Sequence, residues 1–229
     1  QIISLNLSML ALPAIIVGAV LFIFSGKKTF RGWGSAILGF GLLFFGLTMM
    51  GNELKQMGTF PTFIRFFSTF DCSPMTDGLM PLTQVIGAFG ISQWIHGASQ
   101  LLMTVIIQSS SASIGILLML SGSGLVNFYT AMPLMLGANV GTTITAVIAS
   151  IPSNVFGKQV ALSHVLVKLL GTVWMIVFFY VKWPGSNIPM FMELVNTITE
   201  GNVFAADPQN VVRHVANAHT LFNIILVVD

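Results

Sequence analysis

Charge is what this sequence has least of. Only 7% of its 229 residues are Asp, Glu, Lys or Arg, against about 25% in a soluble globular domain, whose surface must stay hydrated. No charged residue precedes Lys27, none lies between Arg31 and Glu53, and residues 78–157 contain none at all. With 55% hydrophobic residues and a mean hydropathy of +0.89, the chain could not cover a water-facing surface of ordinary size. A single, very apolar soluble core is therefore excluded, and hydrocarbon is the solvent that the composition fits. Cysteine is nearly absent as well. Cys72 alone permits neither an intrachain disulfide nor a multi-cysteine metal site, and in its polar surroundings, with no flanking base, it is given no role. No basic run exceeds two residues and the formal charge is only +2, which gives no reason to expect a nucleic-acid partner. The chain opens Gln-Ile-Ile-Ser without methionine, basic n-region or small-residue cleavage site, and it reads as a fragment or an internal start.

What is present is a series of apolar segments. A membrane helix takes about 20 apolar residues. Residues 6–24 make a first span and residues 33–50 a second, joined by a short basic loop holding Lys27, Lys28 and Arg31. Glycines 34, 39, 41 and 46 in the second span predict close helix approach. Residues 52–77 form a polar connection. Residues 78–123 are apolar but interrupted by Gln84, Gln93, His96, Gln100 and Gln108. Residues 125–151 continue the apolar run, with breaks expected at Pro133, Gly137 and Gly141. Residues 160–181 form another span, residues 183–213 a loop, and residues 215–228 a stretch too short to cross fully. The expected fold is thus all-α and polytopic, with a discontinuous-helix hairpin. It divides into two spans with a basic cytoplasmic loop (1–51), a hairpin and broken helix (78–151), and closing spans with an external loop (160–229). The positive-inside rule places the Lys27–Arg31 loop and Lys158 in the cytoplasm, and Glu193, Glu200 and Asp207 outside.

Two polar islands lie inside the uncharged region. The first is Gln108-Ser109-Ser110-Ser111-Ala112-Ser113. Successive helical residues step by about 100°, so three consecutive serines cannot share one face. Some hydroxyls would then meet lipid, unless each bonds back to its own helix. A break in the helix is more economical, because hydroxyls and freed backbone groups can then converge on a ligand. The second island is Gly137-Ala138-Asn139-Val140-Gly141-Thr142-Thr143. Gly137 and Gly141 alone would suit a helix-packing face, whereas Asn139, Thr142 and Thr143 add an amide and two hydroxyls at membrane depth, where polar groups are functional candidates. Broken helices at the midplane offer N–H groups and a positive dipole end to an anion, and carbonyl and hydroxyl oxygens to a small cation. Such a site needs no buried Arg or Lys.

The two islands in this order, followed by Val160-Ala161-Leu162-Ser163-His164-Val165-Leu166-Val167-Lys168-Leu169-Leu170-Gly171 and by Ala218-His219-Thr220-Leu221-Phe222-Asn223, resemble the type II sodium/phosphate cotransporter family. The resemblance covers most of residues 33–229. It implies sodium-coupled symport of inorganic phosphate by alternating access in the plasma or inner membrane, with Na+ as coupling ion and no cofactor. Gln108, Ser109, Ser110 and Ser111 would line the phosphate and sodium site, and Asn139, Gly141, Thr142 and Thr143 would complete it. The family carries these motifs in two inverted repeats, and here they occur once. The chain therefore looks like the second repeat, needing the missing repeat or a second copy of itself as partner within the bilayer.

Other residues admit plainer readings. Ser113 is a weaker candidate in the same run. His219 and Asn223 are four apart and share a helix face; an interhelical hydrogen bond is the favoured reading over a ligand role. Lys168, deep in an apolar span, either snorkels to a boundary or faces a cavity and holds a phosphate or a carbonyl. His96 and His164 are expected to be buried and hydrogen-bonded. Two rival functions remain: a transporter or channel for another small oxyanion, and an intramembrane serine hydrolase built from Ser109–Ser113 with a histidine. The hydrolase lacks the acid that would orient its base, so the chain is not expected to be an enzyme.

Overall fold

The computed structural model describes residues 8–57, 59–68, 71–74, 80–89, 104–105 and 108–228. Among the described residues the regular structure is entirely helical, apart from one isolated antiparallel bridge between Lys182 and Pro189. The helices are α1 (Ser8–Phe24), α2 (Lys28–Met57), α3 (Pro61–Ser68), α4 (Leu82–Phe89), α5 (Ser110–Gly122), α6 (Phe128–Gly141), α7 (Thr143–Ser150), α8 (Val155–Tyr180), α9 (Met190–Ile198) and α10 (Val211–Val228). Among the described residues, three stretches are long and apolar enough to cross a membrane: Lys28–Gln56, Phe128–Ser150 and Val155–Tyr180. Large apolar side chains stand exposed along them, Leu162, Leu166, Leu170, Val173 and Val177 on α8 among them. A lipid-facing surface has this character.

α6 is the centre. It packs against α4, α5, α8 and α10, and thirteen of its fourteen residues are buried. A helix apolar all round belongs inside protein rather than at its edge. Expected breaks at Pro133 and Gly137 do not occur. α6 runs through both, and the discontinuity falls after Gly141, at Thr142. Proline is tolerated in a membrane helix whose neighbours compensate for the lost bond, and α6 has neighbours on every side.

α1 and α2 form an antiparallel pair that touches the rest through α2 on α5. Their contact is glycine-mediated. A Cβ on Gly18 would collide with the Leu38 backbone, one on Gly34 would come to 2.5 Å from Phe22 N, and one on Gly41 to 2.7 Å from Ile15 N. Gly39 and Gly46 face open space, so only part of the predicted glycine pattern makes the contact. The basic loop is also shorter than expected. Lys28 and Arg31 already belong to α2, and the Arg31 guanidinium lies 5.4 Å from the centroid of the Phe22 ring. The stretch 183–213 is not simply loop. It contains α9, whose Phe191, Met192 and Val195 are buried, and α10 starts at Val211, giving it 18 residues.

Contacts between distant segments define the two ends of the bundle. Lys55, Asp71 and Asn127 line one cavity, and Phe128 packs on Phe204 at 5.7 Å. The end of α2 and the starts of α6 and α10 therefore share one end, where Glu193, Glu200 and Asp207 also lie. Lys27, Lys28, Arg31 and Lys158 fall at the other, with no described acid among them.

Residues 71–74 strap the first end. Asn127 caps α6, accepting from Thr130 N at 2.9 Å, while its amide donates to Asp71 Oδ1 at 2.8 Å and Ser73 Oγ at 2.9 Å. Cys72 N donates to Thr130 Oγ1 at 2.9 Å. Burial pushes the Asp71 carboxyl up, but hydrogen bonds from Ser73, Asn127 and Thr130 outweigh this and hold it below the ordinary 3.8. Cys72, in a polar stretch of sequence, is nevertheless inside the protein. It is 0% exposed, and burial, with the Asp71 charge adding, pushes its thiol up to about 12.

Candidate functional site

The serine island begins a helix at a break. Gln108 N donates to Thr104 O at 2.7 Å, as in a helical turn, and Gln108 then adopts φ 56°. A non-glycine residue in the left-handed region cannot continue a helix and carries strain. The chain restarts at Ser110 with Ser109 as N-cap, and the Ser109 hydroxyl accepts from Ala112 N at 3.3 Å and lies 3.2 Å from Ser111 Oγ. The first N–H groups of a helix have no partner within it. With that of Ala112 taken, those of Ser110 and Ser111 point out of the helix start, beside hydroxyls of the same residues. Gln108 and Ser111 are exposed and Ser113 is buried.

α5 and α6 pack as an antiparallel hairpin of near-equal arms, 13 and 14 residues, or about 20 Å each at 1.5 Å per residue. The start of α5 has the positive end of its helix and the end of α6 the negative end of its own. At the α6 end, the carbonyls expected to be free are instead covered by threonines. Thr142 Oγ1 donates to Asn139 O, Thr143 Oγ1 to Val140 O and Thr145 Oγ1 to Thr142 O, each at 2.8 Å. This is local back-bonding by hydroxyls three residues on. The interruption is a tightened turn (Thr142 φ −68°, ψ −17°) rather than an unwound segment, and the threonine oxygens keep lone pairs for a ligand.

Asn139, 3% exposed, connects the island to two further helices. Its amide donates to Met135 O at 3.1 Å, and its Oδ1 accepts from Lys168 Nζ at 3.3 Å. Lys168 also donates to Asn223 Oδ1 at 2.9 Å, and Asn223 Nδ2 donates to His219 O at 2.8 Å. Lys168 thus faces inward and holds carbonyls of side-chain amides. Asn139, Lys168 and Asn223 come together from α6, α8 and α10. His219 contributes its backbone carbonyl to this group. His164, expected to be buried, is exposed on α8, and His96 lies outside the described residues, as do Gln93 and Gln100. A cavity of about 880 Å³ opens at the other end of the hairpin, around Gly122, Asn127, Tyr129, Phe204 and Arg213, remote from the serines.

Long apolar helices, a broken helix at depth and paired polar islands define a multi-pass membrane protein of transporter type. The chain matches the Na+/Pi-cotransporter family over residues 1–52 and 78–197, and it belongs to that family. It is 27% identical over 197 residues to the uncharacterized protein YqeW of Bacillus subtilis, covering 81% of this chain and 57% of that one. It is 38% identical over 93 residues to sodium-dependent phosphate transport protein 2C of Rattus norvegicus, 37% of this chain and 16% of that one. The putative inorganic phosphate export protein YjbB of Salmonella typhimurium is 25% identical over 194 residues, 82% of this chain and 31% of that one. The chain thus spans between about a sixth and somewhat over half of the length of these relatives. No solved structure matches it.

Proposed function

We propose that the protein carries inorganic phosphate across the plasma or inner membrane, coupled to sodium, by alternating access. The observation that carries this reading is the helix start after the left-handed Gln108, where Ser109 caps α5 and the first N–H groups lack partners within the helix. Phosphate would meet the N–H groups of Ser110 and Ser111 with the hydroxyls of Ser109–Ser111 and the Gln108 amide. Sodium would meet the hydroxyl oxygens of Thr142 and Thr143 beside Gly141, with Asn139 holding that end of α6 in place through Lys168 and Met135 O. Ser113 sits inside the helix behind this surface, and Lys168, His219 and Asn223 support it from α8 and α10. No cofactor is called for, since positioned dipoles suffice for ion binding. The half-site needs a second half, from an inverted repeat or another copy of the chain, within the bilayer. The hydrolase alternative loses support because the family to which the chain belongs is one of cotransporters.

Names among the relatives include both sodium-dependent transport and phosphate export, so flux must be measured both ways. Radiolabelled phosphate uptake and efflux in proteoliposomes containing the complete polypeptide would be compared in sodium and potassium, with sulfate as competitor. Sodium-dependent flux abolished in Ser110→Ala and Gln108→Ala supports the reading. Equal flux in potassium refutes the coupling, and flux of sulfate but not phosphate refutes the substrate.

A further inference from the structure

Lys168 is held in an unusual way. Its ammonium meets Asn139 Oδ1 at 3.3 Å and Asn223 Oδ1 at 2.9 Å. It stands well inside a 26-residue apolar helix that is long enough to span a membrane. No Asp or Glu occurs between residues 78 and 192, so its helix and the two polar islands supply no carboxylate to pair with it. A half-buried charge without a counter-ion still loses part of its hydration, and amide carbonyls are what the fold offers in return. Both amides are oriented for the purpose. Asn139 Nδ2 is fixed on Met135 O at 3.1 Å and Asn223 Nδ2 on His219 O at 2.8 Å, so each oxygen is turned toward the same point.

Two pre-oriented hard oxygens from different helices, one turn from Thr142 and Thr143, form the kind of donor set that small hard cations select. Such ions sit at about 2.3–2.6 Å from oxygen, so each amide would close by less than about 1 Å to hold one. We propose that the Lys168 ammonium is a built-in cation, occupying a carbonyl site between α6, α8 and α10 that would otherwise take a sodium ion. Unlike a bound ion, it cannot leave with the substrate. The consequence for coupling rests on the transport reading above: the protein moves one sodium fewer per cycle than its oxygen donors could hold.

The test removes the ammonium and asks whether sodium takes its place. Lys168→Ala leaves a hole, and Lys168→Asn leaves a smaller hole and adds an oxygen. Lys168→Met fills the space with an apolar chain. Melting temperatures of the purified complete polypeptide would be read without phosphate, in about 100 mM sodium chloride against N-methylglucamine chloride. The Ala and Asn variants should gain a sodium-dependent rise about 3 °C or more above that of the parent, and the Met variant should not. A folded Lys168→Asn with no extra rise, or an equal rise in Lys168→Met, overturns the proposal. If Ala and Asn both fail to fold, recovery of folding in sodium supports it, and failure to recover overturns it. Phosphate flux of the parent is measured separately. Sodium-independent flux beside a sodium-stabilised Lys168→Asn sinks the coupling and leaves the site, while the converse sinks the site alone.

Discussion

Replacing Asn127 by alanine should unmask Cys72. Asn127 does two jobs: its Oδ1 caps α6 and its Nδ2 holds Asp71 and Ser73. Losing an N-cap costs about 1 kcal/mol. A hydrogen bond to a charged partner is worth about 1.5–3 kcal/mol, but Asn127 is exposed, so about 1 kcal/mol is the fair share here. The strap should therefore open about 2 kcal/mol more easily, or about 30-fold more often at 1.36 kcal/mol per tenfold. Cys72 makes this readable, being the chain's single cysteine, 0% exposed and with a thiol pushed up to about 12. Thiolate is the reactive form, so labelling by a water-soluble maleimide at pH 7.5 has to wait for opening. The parent should label slowly and Asn127→Ala about 30-fold faster. Asn127→Ser, which keeps a cap but does not reach Asp71, should fall between them. Parent labelling at the rate of a free thiol would refute the burial, and equal rates in parent and Asn127→Ala would refute the role of Asn127.

Three further outcomes follow from the same geometry. Asp71 has its carboxyl held below 3.8, so its contribution to stability is complete above that value and is lost as pH falls through the lowered one; melting curves from pH 7 to 3 should be flat to about 4 and then fall in the parent, while Asp71→Asn starts lower and converges with it in acid. Gly34→Leu should separate α1 from α2 at a cost above about 3 kcal/mol, since backbone atoms of Phe22 and Leu21 cannot yield; Gly39→Ala, facing open space, should melt like the parent. Gln108→Gly should relieve the φ 56° strain by about 1 kcal/mol and raise the melting temperature by about 2–4 °C, yet lower phosphate flux; unchanged flux would remove the Gln108 amide from the site.

Helices whose driving force is local were legible in the sequence. The described parts of the uncharged residues 78–157 and of the apolar runs at 6–24, 33–50 and 160–181 hold α1, α4–α7, most of α2 and the larger part of α8, because hydropathy acts through each segment's own contact with its surroundings. Contacts across the chain were not legible. α9 is amphipathic, with Phe191, Met192 and Val195 on its buried side, but nine residues among Pro, Gly and Asn give too short a pattern to outweigh loop composition. Burial of Cys72 depends on Thr130, 58 positions later, which no local reading supplies. Pro133 and Gly137 predict breaks by propensity, and tertiary packing on all sides of α6 overrides them.

The Asn139–Lys168–Asn223 group shows the same division at the site itself. Each residue stood out alone as a polar group in an apolar run, yet spacings of 29 and 55 residues carry no periodicity that would join them. Joined, they alter what the second island does. Asn139 is committed to Lys168 through its oxygen and to Met135 through its nitrogen, so under the proposed transport reading the oxygens left for a mobile ion are those of Thr142 and Thr143. Asn139 would then act on that ion indirectly, by fixing the end of α6 against α8 and α10. Asn139→Leu should accordingly disturb phosphate flux and melting temperature together, whereas Thr143→Ala should weaken sodium dependence with a smaller loss of stability. Equal effects of the two on sodium dependence, measured as the half-saturating sodium concentration for flux, would place Asn139 in contact with the ion and refute its commitment to Lys168.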